Sequence, residues 1–156
     1  MLFTIGYEGA DLQDFLASLK RVGVNVLLDI RDVPVSRRKG FSKNALAAAL
    51  EGAGIEYVHL KGLGDPKDGR EAARSGDFPK FRKIFNAHLK TEKAQQHLAD
   101  AIEIVGKSAS CLLCYERDPI NCHRSIVASK ISAILETKVQ HLGVQEGIAE
   151  RLLAAE

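Results

Sequence analysis

One short segment concentrates the reactive side chains: Cys114-Tyr115-Glu116-Arg117-Asp118-Pro119-Ile120-Asn121-Cys122-His123-Arg124. It joins the apolar run 109–115 (ASCLLCY) to a helical pattern carrying Ile126, Val127, Ile131, Ile134 and Leu135. Two helix starts are open: Asp118 as N-cap with Pro119 first in the helix, or a turn over Asp118–Asn121 with the start near Cys122. Either way Cys122, His123 and Arg124 fall in or near the first turn, where free N–H groups and the positive dipole end favour an anion. Arg124 adds a fork for phosphate or carboxylate. The same surroundings can depress the thiol of Cys122 and make it a nucleophile; the plainer alternative is a small buried helix residue. Glu116, at a strand end, can serve as general acid, general base or glycosyl nucleophile. Its plainer alternative is a carboxylate paired with Arg31, Arg117 or Arg124.

Other candidates sit at the ends of other apolar runs. Arg31, Arg37, Arg38 and Lys39 follow the run 24–30 (VNVLLDI) and can clamp phosphates, or form a solvated loop. His59 is a candidate acid or base, or a structural hydrogen-bonding group. Tyr7, Asp29 and Arg117 support the same end. A Cys-x5-Arg phosphate loop is excluded, because the sixth residue after Cys114 is Ile120 and after Cys122 is Ala128. A zinc set of Cys111, Cys114, Cys122 and His123 fails on geometry: three apart in a strand, Cys111 and Cys114 point to opposite faces, whereas a tetrahedral site needs convergence. Neither a Walker loop nor Gly-x-Gly-x-x-Gly follows a strand. No metal and no cofactor are therefore expected.

These residues need elements to hold them. LFTIGY (2–7), VNVLLDI (24–30), IEYVHL (55–60), ASCLLCY (109–115) and Val139–Leu142 read as strands, most of them continuous apolar runs. Asp11 caps a helix with Leu12, Phe15, Leu16 and Leu19 on one face, ending at Gly23. Ser42 starts an alanine-rich helix. Phe78, Phe81, Ile84, Phe85 and Leu89 mark another, and Thr91 caps one running to about Val105. Ile148, Leu152 and Leu153 suggest a closing helix. Residues 61–77, with four glycines and a proline, show no apolar periodicity and read as a loop, open to a lid role. The alternation predicts a three-layer α/β/α sandwich around a mainly parallel five-stranded sheet, with right-handed crossovers. The expected strand order is 3-2-1-4-5. Ligands of such sheets bind beyond the carboxyl ends of the strands.

Bulk properties set the limits. The 156 residues fit one domain, spanning 1–156, with 46% hydrophobic and 27% charged residues. A net charge of +2 argues against a general polyanion binder, so any nucleic-acid surface would be local. No apolar run is long enough for a bilayer and no signal peptide opens the chain. Three cysteines imply no disulfide framework, and the expected location is cytoplasmic.

The chain resembles the DUF488 family of small bacterial and archaeal proteins. The resemblance rests on Thr4-Ile5-Gly6-Tyr7, on Asp29-Ile30-Arg31 with Pro34 and Ser36-Arg37, and on Gly54-Ile55-Glu56-Tyr57 with His59 and Leu63-Gly64. It is most specific in Leu113-Cys114-Tyr115-Glu116 with Pro119, Cys122, His123 and Arg124. It runs from about residue 2 to residue 142. Gly6-Tyr7-Glu8 stands where members often have Gly-His-Ser, so a histidine role there is missing. The resemblance implies the fold and the site and supplies no reaction.

The expectation is an enzyme, a hydrolase or a glycosyl or phosphoryl transferase. Its substrate would be a phosphate-bearing small molecule, a nucleotide or a nucleic-acid end. Arg31, Arg37, Arg124 and His123 would hold the anion, and Glu116, Cys122 or His59 would react. The alternatives are a non-catalytic nucleotide or nucleic-acid binding module, and a structural role with an internal ion-pair network.

Overall fold

The computed structural model describes residues 1–155. Strand β1 (Leu2–Gly6) leads into α1 (Leu12–Arg21), β2 (Val26–Asp29), α2 (Lys43–Gly52) and β3 (Glu56–His59). A 3-10 turn at Lys61–Leu63 precedes α3 (Lys67–Arg74), α4 (Phe78–Leu89) and α5 (Glu92–Lys107). Then follow β4 (Ser110–Cys114), α6 (His123–Leu135), β5 (Val139–Leu142) and α7 (Ile148–Ala155). The local signals act as their chemistry dictates. The Asp11 carboxylate accepts from the N–H groups of Gln13 and Asp14 at the start of α1, and the Thr91 hydroxyl accepts from Ala94 N–H at the start of α5.

The five strands form one parallel sheet in the order β3-β2-β4-β1-β5. The expected order 3-2-1-4-5 is wrong in one exchange, since β4 and not β1 lies beside β2. Both are buried along their whole length, so hydrophobicity does not rank them for the central place. The edge strands β3 and β5 carry the partly exposed residues.

The core has two halves. Phe3, Ile5, Leu27, Cys111 and Leu113 point to the face covered by α1 and α2. Leu2, Val26, Leu28 and Leu112 point to the face covered by α3 to α6. The connections from β1 and β2 run toward β3 over the first face, and those from β3 and β4 run the other way over the second. A single crossover hand requires that arrangement. Strand β4 is therefore flanked on both sides by strands whose following helices lie on the opposite face, and a crevice opens above its C-terminal end.

Residues 61–77 are not a bare loop. The helix α3 (KDGREAAR) lies there, and its inward residues are Gly69 and Ala72. Such small residues leave no apolar stripe to read, because a backbone packed close to its neighbour needs no large side chain. Among the described residues no helix is long and apolar enough to cross a membrane.

Candidate functional site

Above β4 lies a cleft of about 1000 Å³, lined among others by Tyr7, Glu8, Arg31, Arg37, Arg38, Asp65, Arg70, Arg74, Glu116 and His123. Its walls come from the loops after β1, β2 and β4 and from the segment around α3. Three glycines let these segments approach. A Cβ at Gly6 would collide with the Glu116 carbonyl and the Arg124 guanidinium, one at Gly64 with the Asp32 backbone, and one at Gly69 with the Asp65 carboxylate.

At the end of β2 the polar groups satisfy one another. Asp29 is fully buried and accepts from Arg31 Nε at 2.9 Å and Nη2 at 2.8 Å, and from the Tyr57 hydroxyl at 2.6 Å. Arg31 Nη1 donates to the Phe41 carbonyl at 2.6 Å and to the Tyr7 hydroxyl at 3.3 Å. The Tyr7 ring stacks on Phe41 with centroids 4.7 Å apart. Burial works against the Arg31 charge, but its bonds to Asp29 more than reverse this and raise its pKa. Burial and the bond to Asp29 push the Tyr57 phenol up. Arg31 thus has most of its donors committed inside the protein.

Arg124 is committed in the same way. It is fully buried, donating from Nε to Thr4 Oγ1 at 3.1 Å and from Nη1 to Cys114 Sγ at 3.0 Å. It also donates to the carbonyls of Glu116 and Arg117. Burial lowers its pKa. His123 is buried beside the cleft, with Nε2 on the Ile30 carbonyl at 2.8 Å, and burial lowers its pKa. Helix α6 starts at His123 with Cys122 as N-cap residue, the second of the two starts open from sequence.

Cys122 is buried under the cleft. Its thiol contacts Glu116 Oε2 at 3.3 Å and His123 Nδ1 at 3.7 Å. Its sulfur also faces that of Cys114, on Cα atoms 7.7 Å apart. Cys111 sits in the core on the α1–α2 side, away from this pair, as the opposed strand faces require. His59 bonds the Arg31 carbonyl through Nε2 at 2.8 Å and is not among the cleft-lining residues. Arg117 is exposed; its N–H donates to Glu8 Oε1 at 3.0 Å and its carbonyl accepts from Arg124. Of the expected anion holders, Arg37 is the exposed one at the cleft.

Three cleft residues escape the sequence reading: Asp65, Arg70 and Arg74. Asp65 is buried at 5% exposure, and its Oδ1 is the one buried side-chain polar atom without a partner among the described residues. Burial raises its pKa to about 7, the charge of Glu116 adds to this, Arg70 opposes it and Asp32 reinforces it. Arg70 pairs with Asp32 at 2.8 Å and also donates to the Asp65 carbonyl. The signal available was Asp65-Pro66 ahead of a charged stretch with Gly69 four residues on, a helix start whose inner face is a glycine.

The family model for a domain of unknown function, DUF488, matches residues 11–131, most of the chain and all of the cleft except the part from β1 and its loop. No match was found among curated proteins or among solved structures. With β2, β4, the α3 segment and the Cys114–Arg124 loop all inside that match, the chain belongs to the DUF488 family.

Proposed function

We propose that the chain is an enzyme that uses acid–base chemistry on a phosphate-bearing small molecule, a nucleotide or a nucleic-acid end held in this cleft. One observation carries the reading: Asp65, buried with an unpartnered oxygen, and Glu116 line the same cleft as Arg37, Arg38, Arg70 and Arg74. A site that only bound anions would gain nothing from carboxylates beside its arginines, since they repel the ligand. A site that moves protons needs them. A phosphate would rest on the outer arginines, chiefly Arg37 and Arg74, while Asp65 and Glu116 give and take protons at the scissile bond. Arg31 and Arg124 act beneath them as fixed supports.

The test is a turnover screen on nucleotides, sugar phosphates and short oligonucleotides, comparing wild type with Asp65→Asn and Glu116→Gln. Loss of a general acid or base lowers the rate about 10²-fold or more, so each variant is expected to keep its fold and lose turnover to that extent. Salt-sensitive oligonucleotide binding that both variants retain, with no turnover by wild type, would instead assign the chain to non-catalytic binding.

A further inference from the structure

We propose that Cys114, Cys122, His123 and Glu116 form a site for a divalent cation of the zinc type at the floor of the cleft. Their ligand atoms all lie within 4.8 Å of one another. Tetrahedral zinc, with sulfur at about 2.3 Å and nitrogen or oxygen at about 2.0 Å, sets neighbouring donors roughly 3.3–3.8 Å apart. The distances from Cys122 Sγ to Glu116 Oε2, 3.3 Å, and to His123 Nδ1, 3.7 Å, fall in that range; the Cys114 and Cys122 sulfurs are in direct contact and have to part to admit an ion. Glu116 takes the place that Cys111 cannot fill from the other face of β4.

Three further features fit an ion. The first is the histidine tautomer. Nε2 faces the Ile30 carbonyl at 2.8 Å and must donate to it, so the neutral ring keeps its lone pair on Nδ1, toward the sulfurs. A backbone carbonyl behind the ring is how metal-bound histidines are commonly oriented. The second is the spacing of the cysteines. Their Cα atoms are 7.7 Å apart, beyond the roughly 4.4–6.8 Å that a disulfide spans, and two thiolates on one ion permit a wider separation.

The third is charge. Arg124 is fully buried, and among the described residues no carboxylate lies within ion-pair distance of it. Its partners are the Thr4 hydroxyl, two carbonyls and Cys114 Sγ. A buried cation without a counter-charge is expensive. Two thiolates and a carboxylate on a dication leave one net negative charge, which balances Arg124. On binding, the two thiols and the ion exchange two protons for the metal, with no change of oxidation state.

The inference revises one part of the reading of the cleft: with the ion bound, Glu116 is a ligand and Asp65 is left to move protons. Its test uses no phosphate compound, so either can fail alone. Fully reduced, chelator-treated protein is titrated with Co²⁺ and then Zn²⁺. A single cobalt per chain is expected, with thiolate-to-cobalt charge transfer in the near ultraviolet and the visible bands of a tetrahedral ion, both removed by zinc. Cys122→Ser should lose about half of the charge-transfer intensity, and Cys111→Ser none. If Cys122→Ser does not fold, alkylation of wild type decides: zinc should protect Cys114 and Cys122, located by peptide mass spectrometry. Cobalt bound without charge transfer, no uptake by reduced protein, or equal alkylation with and without zinc overturns the proposal.

Discussion

The end of β2 and the cleft above β4 carry similar side chains and use them in opposite ways. At the β2 end, Asp29 and Arg31 meet through three hydrogen bonds, and Tyr57, Tyr7 and the Phe41 carbonyl absorb most of what is left. In the cleft above β4, apart from the committed Arg124, groups are left without partners. Asp65 keeps an oxygen without a partner, Cys122 rests on a carboxylate, and Arg37 reaches into the cleft uncommitted to any acid. A saturated network holds a backbone in place, whereas groups left over beside a cavity are what a ligand can use. The contrast teaches that an arginine near a strand end is a poor guide to anion binding until its donors have been followed to their partners.

The largest effect should come from breaking the closed network. Asp29→Ala leaves the Arg31 guanidinium buried and unpaired, with exposure of only 6%. Removing one partner of such a pair costs about 3–5 kcal/mol, a fall in thermal midpoint of roughly 10 °C for a chain of this size. Thermal unfolding followed by circular dichroism measures it. A fall of only a degree or two would mean that Arg31 escapes to solvent, and that the β2 end is as open as the β4 end.

The sequence shows one end better than the other for reasons of packing. Strand runs and the Asp11 and Thr91 caps are local effects, readable where the residues stand, whereas the helix start after β4 stays open between Asp118 and Cys122 until the structure places it at Cys122. The order of β1 and β4 is not local: both are uniformly buried, and the choice lies in the long connection through α3, α4 and α5. Arg124 and Arg37 look alike in sequence, yet one is fully buried under Gly6 and the other exposed at the cleft. Asp65 stayed hidden because the helix above it turns a glycine toward it instead of an apolar residue.

Asp65 gives a smaller and more specific effect. Its carboxyl holds its proton in the folded protein up to about pH 7, against an ordinary value of 3.8. The folded state therefore binds more protons than the unfolded chain between those values, and stability falls as pH rises across that window. The contribution is full below 3.8 and lost by the time the folded carboxyl ionises near 7. Asp65→Asn removes it, so the thermal midpoint of the variant should decline less than that of wild type from about pH 4 to pH 7. Parallel curves would place Asp65 in contact with water and close the difference between the two strand ends.

The smallest effect on stability, and the sharpest for the comparison, belongs to Arg37→Ala. Arg37 is exposed, and among the described residues it makes no ion pair and no side-chain hydrogen bond, so its loss should change stability by no more than about 0.5 kcal/mol. If the cleft takes a phosphate, that same variant should weaken binding of the ligand found by the turnover screen about ten- to a hundredfold, since charge-assisted hydrogen bonds to an anion contribute roughly 1.5–3 kcal/mol. Thermal unfolding for stability and isothermal titration for affinity, on wild type and variant, separate the two quantities. Undiminished affinity in Arg37→Ala would move the anion to Arg38, Arg70 or Arg74. A destabilised Arg37→Ala would mean that this end, too, spends its arginines on holding itself together.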